Sequence, residues 1–432
     1  MKNLIGKLSD IHKNPDSIIF INNEEKISFN DILETPVTDL SMIAHGDVVA
    51  LIGDFDKQSI ATFLKLIDMG AIVIPLTEAT RSEHEYFFET AFVDVIINTD
   101  GVRRRFPNGC HELIEELRRN RHAGLVLFSS GTTGHPKAIL HDMTLFLKRF
   151  ETPRHALRTL NFLLFDHIGG INTLFHTLFN KGIVIAPSKR TIESILDTCD
   201  QYHVELLPTT PTFLRLMLMS GAIPDRIPGC LKIITYGTER MDQITLDALC
   251  RLLPNVDFRQ TYGMSELGIV RAKSEARNSL FMKIGGEGIE TKVVDNVLYI
   301  RSQNRMLGYL NAPSPFDDEN WYNTKDIVEQ KNGYYKITGR TSEVINIGGL
   351  KFMASDVEMR AIEIPDVAFA EIQVKNNPIT GQHIELVVQI NTASCLKKED
   401  IKNHLKAVLP KYMIPSKITF SDIEINHRFK RT

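Results

Sequence analysis

Cysteine is scarce in this 432-residue chain: five copies, Cys110, Cys199, Cys230, Cys250 and Cys395, scattered and odd in number. No two stand in a CxxC spacing. Neither a zinc site nor a disulfide framework is indicated, and reduced thiols in a cytoplasmic setting are expected. No apolar run reaches the roughly 18–20 residues that cross a bilayer, so no membrane span is expected. The first residues, MKNLIGKLSDIHKNPDS, lack the apolar stretch of a signal peptide. Excess charge is also missing: 50 Lys and Arg against 53 Asp and Glu give −3. That leaves no basic footprint for nucleic acid and no polybasic patch for a membrane surface. Arg103–Arg105 and Arg118–Arg121 read as solvated faces. No internal repeat or low-complexity segment occurs.

What remains is an ordinary globular composition, 43% apolar and 24% charged, at a length that favours two or three domains. Val48–Asp54 and Ala71–Leu76 read as buried strands around a helix at Lys57–Gly70. This βαβ unit implies a parallel sheet covered by helices. Val93–Thr99 and Gly124–Ser130 continue the alternation. The stretch HDMTLFLKRFETP, from His141, reads as a helix, and Asn161–Pro187 as strand, loop, helix and strand. From Gly285 to Tyr309 short alternating segments with glycines predict a small antiparallel sheet. The fold class is therefore α/β, with parallel-rich sheets covered by helices and a smaller antiparallel sheet.

The stretch around which the chain is organised is Leu125–Leu140, LVLFSSGTTGHPKAIL. A buried strand runs into Ser129, Ser130, Gly131, Thr132, Thr133, Gly134, His135, Pro136 and Lys137. Two glycines let main-chain N–H groups converge, four hydroxyls add adjustable donors, and Lys137 adds a positive charge. Such a loop suits a polyphosphate better than a plain surface turn. It is not the GxxxxGK[ST] of a P-loop.

This stretch resembles the phosphate loop of the adenylate-forming enzymes, which include acyl- and aryl-CoA synthetases, adenylation domains and luciferases. Their pattern is close to [ST]SGTTGxPKG, and Ala138 stands where the family usually has Gly. Further motifs follow in the family's order. Asp166-His167-Ile168-Gly169-Gly170 resembles a segment beside the acyl pocket, which implies His167 as pocket wall or gate. Asp166 either faces a basic group on the substrate or caps the following turn. Leu231–Glu239 ends in Gly237-Thr238-Glu239, the corner that lies along adenine in relatives. Gln260–Glu266, QTYGMSE, resembles QxYGxTE. It implies Tyr262 and Gly263 against the adenine, Ser265 at the α-phosphate and Glu266 as ligand of Mg²⁺. Read alone, that segment also fits a helix N-terminus with Ser265 as its cap. Trp321–Asp326 resembles W-x-x-T-G-D with Lys325 in place of Gly, and Gly339-Arg340 matches the family's GR. Asp326 and Arg340 are thereby implied at the ribose.

The resemblance divides the chain into an AMP-binding domain, residues 1–340, and a mobile C-terminal lid, residues 341–432, of α+β type. Thr341–Ser342 falls at the hinge, and Ile347–Lys351 at the loop that swings towards the thiol channel. The family's catalytic lysine falls on Lys430 by one count and on Arg428 by another. The implied activity is ATP-dependent activation of a carboxylic acid to an acyl-adenylate, then transfer to a thiol, in the first place CoA. Rivals are loading of a carrier protein's phosphopantetheine arm, amide formation with an amine, and a non-catalytic nucleotide sensor. ATP, Mg²⁺ and CoA are the implied cofactors, and a small carboxylic acid the substrate.

Overall fold

The computed structural model describes residues 3–37, 40–129, 135–377, 381–391 and 394–423. Two seven-stranded sheets form its larger part. In one, the parallel strands Gly124–Phe128, Ile72–Leu76, Val48–Ile52 and Val95–Asn98 lie side by side. Their Val, Ile and Leu runs are buried on both faces, as a helix-covered parallel sheet requires. Antiparallel neighbours close its two sides: Gly101–Arg104 on one, Ala138–Asp142 and then Gly308–Tyr309 on the other. The second sheet runs Asp257–Gln260, Ile233–Tyr236, Leu206–Thr209, Arg158–Leu160, Ile183–Ala186, Ile18–Asn22 and Glu25–Ser28. All its pairings are parallel except the last hairpin. A six-stranded antiparallel sheet built from residues 272–340 adjoins them; it is larger than the one expected over Gly285–Tyr309, and Gly308–Tyr309 leaves it for the edge of the first sheet.

The helices Lys57–Asp68 and Ile168–Phe179 share one apolar cluster with residues of both large sheets, among them Val49 and Val73 of one and Phe20 and Val184 of the other. Phe175 is its hub. Its ring lies 6.0 Å from Phe63, 6.2 Å from Phe146, 6.0 Å from Phe150 and 6.4 Å from Phe179, in tilted or edge-on geometries that aromatic quadrupoles favour.

Two local expectations are corrected. His141 and Asp142 end a strand rather than begin a helix, and the helix is only Met143–Lys148, capped by Asp142. The apolar run Ala138–Leu140 finds strand partners on both sides, in Gly124–Phe128 and Gly308–Tyr309, and those ladders override its helical continuation. The strand expected from Asn161 lies at Arg158–Leu160.

Beyond Arg340 come a hairpin (Val344–Ile347 with Leu350–Met353), the helix Ala354–Ile362, a three-stranded sheet and the helix Lys398–Val408. They enclose an apolar cluster of their own that includes Phe352, Val357, Leu386 and Leu405. This part meets the larger one at the helix Pro211–Met219. There Arg215 donates to the carbonyls of Val367 and Ala368, and Leu216 and Met219 pack against the cluster of Ala368, Phe369 and Ile423.

Because Phe175 joins the two large sheets, Phe175→Ala should cost about 3–5 kcal/mol of stability. Denaturant unfolding followed by far-UV circular dichroism measures this. A loss below 1 kcal/mol would show the cluster to be less continuous than its ring geometry implies.

Candidate active site

The glycine-rich loop leaves the strand Gly124–Phe128 and returns in the antiparallel strand Ala138–Asp142. Its neck is closed twice. The Ser129 N–H donates to the Lys137 carbonyl at 3.0 Å, and the Lys137 N–H donates to Ser129 Oγ at 3.1 Å. Ser130, Gly131, Thr132, Thr133 and Gly134 lie outside the described residues. The returning side is pinned at Pro136, whose carbonyl accepts from the Tyr86 hydroxyl (3.1 Å) and the Asn311 amide (3.0 Å). Asn311 Oδ1 in turn accepts from the Ala138 N–H at 2.9 Å. Lys137 Nζ stands 4.8 Å from the Tyr309 ring centre, a cation–π distance.

The QTYGMSE segment is a hairpin, not a helix start: Tyr262–Met264 pairs with Gly268–Val270, and Ser265 and Glu266 lie in its turn. Glycine is required twice. A Cβ on Gly263 would meet the Gly268 carbonyl at 2.7 Å, and Gly268 has φ +69° with the Arg149 guanidinium filling its Cβ space. Behind the turn, His141 Nε2 lies 2.7 Å from the Ser265 carbonyl. Burial, aided by the Arg149 charge, pushes the His141 pKa down to about 3, so a neutral imidazole donates its Nε2–H there. Arg149 donates to the Asn304 carbonyl at 2.7 Å, and burial lowers its pKa to about 10, which leaves it a cation. In front of the turn, the Tyr309 hydroxyl donates to Glu266 Oε1 at 2.7 Å. Burial raises the Tyr309 and Tyr322 phenols, so both stay protonated.

Asp326 is the most enclosed carboxylate of the group, 4% exposed. The Tyr262 hydroxyl donates to its Oδ2 at 2.6 Å and Arg340 Nε to its Oδ1 at 2.9 Å; Arg340 is its partner across the strand pair. Burial pushes the Asp326 carboxyl up, opposed by the guanidinium and the phenol. Each oxygen keeps a second lone pair for a ligand hydroxyl. Lys325, in the glycine position of its motif, has φ +60°, so the backbone keeps the left-handed geometry despite the side chain. Its N–H is held by Asn323 Oδ1 at 2.8 Å.

Gly237 follows the strand Ile233–Tyr236, and a Cβ there would fall 2.3 Å from Thr261 Oγ1. The close approach joins the 236–239 corner to the 260–262 segment. Thr238 has φ +70°, and Glu239 accepts from the Thr212 N–H at 3.3 Å. His167 is the N-cap of the helix Ile168–Phe179, its Nδ1 accepting from the Gly169 N–H at 3.0 Å. Asp166, the residue before this cap, is buried. The His167 helix packs against the strand Gly268–Val270.

One chain of contacts thus links Lys137, Tyr309, Glu266, the 262–270 hairpin, Asp326 and Arg340, with Gly237 adjoining through Thr261. Lys430 and Arg428 lie outside the described residues. Tyr309, Tyr322 and His141 escaped the sequence reading. Tyr309 falls at the end of a stretch read only for its strands, and His141 was assigned to a helix.

Because folding keeps His141 neutral to about pH 3 while an unfolded chain protonates it near 6.5, its contribution is intact above pH 6.5 and lost as pH falls. The slope is about 1.4 kcal/mol per pH unit for one proton. His141→Gln, which keeps an N–H for the Ser265 carbonyl, should flatten the acid limb of the stability–pH curve measured by thermal unfolding. An unchanged slope would mean that His141 protonates in the folded state.

A family model described as AMP-binding enzyme matches residues 13–310. A 4-coumarate–CoA ligase-like protein of Arabidopsis thaliana is 23% identical over 86% of this chain and 77% of its own length. An acyl-CoA synthetase of Alternaria alternata is 26% identical over 69% of this chain, which spans only 62% of that relative. Among solved structures, ATP-bound MatB from Rhodopseudomonas palustris superposes with a TM-score of 0.80 at 18% identity, over 99% of this chain and 96% of its own. The o-succinylbenzoate CoA synthetase from Bacillus subtilis, in complex with its acyl-adenylate intermediate, gives 0.79 at 17% identity, over 100% and 97%. At these identities the structural likeness shows the fold.

Proposed function

Since the chain belongs to the family of AMP-binding enzymes, we propose that it joins a carboxylic acid to a thiol, CoA in the first place, through an acyl-adenylate. A carboxylate oxygen attacks the α-phosphorus of ATP. The bond to the oxygen bridging to the β-phosphorus breaks, and pyrophosphate leaves with the electron pair. The thiol sulfur then attacks the acyl carbon, and AMP departs.

The observation that carries this reading is the continuous contact chain from Lys137 through Glu266 and Tyr262 to Asp326 and Arg340. In it a cation beside the glycine-rich loop, a carboxylate in a hairpin turn and a buried carboxylate with its half-exposed guanidinium partner lie along one path. That order suits triphosphate, metal and ribose. Lys137, the hydroxyls of Ser129, Ser130, Thr132 and Thr133, and the backbone of Gly131 and Gly134 would hold the β- and γ-phosphates. Ser265 would meet the α-phosphate. Tyr262, Gly263 and the Gly237–Glu239 corner would border the adenine, and Asp326 and Arg340 would receive the ribose hydroxyls. His167, at a helix start beside the hairpin, would border the acyl group.

Glu266 fits magnesium: a half-buried carboxylate in a turn offers a hard oxygen. Among the described residues no three His, Cys, Asp or Glu side chains cluster, so one carboxylate plus substrate phosphates is the expected ligand set. The ion would neutralise polyphosphate charge. Residues 341–432 would act as a lid turning about Thr341–Ser342. It would present Lys430 for adenylation and the Gly348–Lys351 loop for thiol transfer, because one cleft cannot hold both sets at once.

A carrier-protein phosphopantetheine as acceptor is the second reading. It is favoured by Lys398, Lys402 and Lys406, spaced four apart on the helix Lys398–Val408, with Lys397 and Lys411 flanking it, while Ile401 and Leu405 face inward.

Exchange of labelled pyrophosphate into ATP across a panel of aliphatic and aromatic acids tests the first step, and thioester formation with CoA or a carrier tests the second. Absence of both exchange and ATP binding would sink the proposal. Lys430→Ala should cripple exchange far more than ATP binding; unchanged exchange would transfer the role to Arg428. Asp326→Asn should weaken ATP binding roughly 10- to 100-fold, the worth of a charge-assisted hydrogen-bond set.

A further inference from the structure

We propose that Tyr309 is a positioning residue that fixes the Glu266 carboxylate for magnesium and couples it to Lys137 of the phosphate loop. This rests on the ATP-dependent reading above. A glutamate in a hairpin turn would rotate freely about its last torsion, and a metal site needs that rotation stopped. Here the Tyr309 hydroxyl donates to Oε1 at 2.7 Å and removes that freedom.

The backbone that carries Tyr309 is tied to both ends of the site. The Met306 N–H donates to the Glu266 carbonyl at 2.8 Å. The N–H groups of Leu307 and Leu310 donate to Leu140 and Ala138 at 2.8 and 2.9 Å, on the strand by which the glycine-rich loop returns. Tyr309 lies opposite Ile139 in that ladder. Five consecutive residues, 306–310, thereby set the spacing between phosphate loop and carboxylate. The Tyr309 side chain repeats the connection: its ring receives Lys137 Nζ at 4.8 Å, while its hydroxyl grips Glu266. The ring holds the ammonium on its face and the carboxylate at its edge. Cation and anion are kept apart, one for phosphate and the other for metal, rather than collapsing onto each other.

Tyr309→Phe keeps the ring and deletes only the hydroxyl, so it separates the two couplings. The magnesium concentration for half-maximal pyrophosphate exchange should rise roughly 10- to 100-fold, the usual effect of losing a group that orients a metal ligand. A readout without turnover accompanies it. In thermal-shift titrations the stabilisation by ATP alone should be kept, and the extra stabilisation added by magnesium should shrink. Tyr309→Leu, which also removes the ring from Lys137, should weaken ATP alone as well. Wild-type magnesium dependence for Tyr309→Phe, in exchange and in thermal shift, overturns the inference while leaving the proposed activity standing. A wild-type protein that neither binds ATP nor exchanges pyrophosphate overturns both.

Discussion

A buried carboxylate between a phenol and a guanidinium is the interaction from which the rest of the site takes its geometry. Asp326 comes from the antiparallel sheet, Tyr262 from the hairpin after the second parallel sheet, and Arg340 from the last residue before the C-terminal part. Enclosing an anion is costly unless charge and hydrogen bonds compensate, and the half-exposed Arg340 guanidinium and the buried Tyr262 phenol supply both. Two neighbouring strands of one sheet and a hairpin from outside it are thus tied together at one carboxylate. The hairpin so fixed carries Ser265 and Glu266. Its backbone is backed by a neutral histidine on one side, and Tyr309 holds its Glu266 on the other.

Much of this was legible because the chemistry is written in short segments. The parallel strands showed as uninterrupted Val/Ile/Leu runs, and the antiparallel sheet as alternation with glycines. Asp326 and Arg340, fourteen residues apart, turned out to be direct partners in one ladder. Lys325 looked like a break in its motif. Its left-handed φ shows that the backbone demand survived and the side chain accommodated it at a cost of about 1 kcal/mol or more.

What escaped the sequence depends on contacts between distant segments. Nothing local in LGYLN says that Tyr309 lies over Lys137, 172 residues earlier, and against Glu266, 43 earlier. That juxtaposition exists only once Gly308–Tyr309 joins the sheet edge beside Ala138–Asp142. His141 was misread for a related reason. Its neighbours carry helical spacing, but two strand partners claim the backbone, and the imidazole is turned to the Ser265 carbonyl, 124 residues away. His167 shows the reverse case: a local role, capping its own helix, stands beside the pocket role implied by resemblance.

The same contacts limit how the C-terminal part can move. Arg340 is bound to Asp326 by its side chain, and its N–H donates to Glu343 Oε2 at 3.2 Å across the turn Thr341–Glu343. The near side of the proposed pivot is therefore anchored at the buried Asp326 carboxylate. On the far side, Arg215 holds the Val367 and Ala368 carbonyls, and its guanidinium stands 5.8 Å from the Phe369 ring. A rotation about Thr341–Ser342 must release the far contacts while keeping the near one. Hydrogen bonds from a charged donor contribute about 1.5–3 kcal/mol each, so contacts of similar worth must form in the rotated arrangement for both to be populated. In the proposed cycle the hinge would be poised by what Arg215 lets go, whereas the Asp326–Arg340 pair would stay constant.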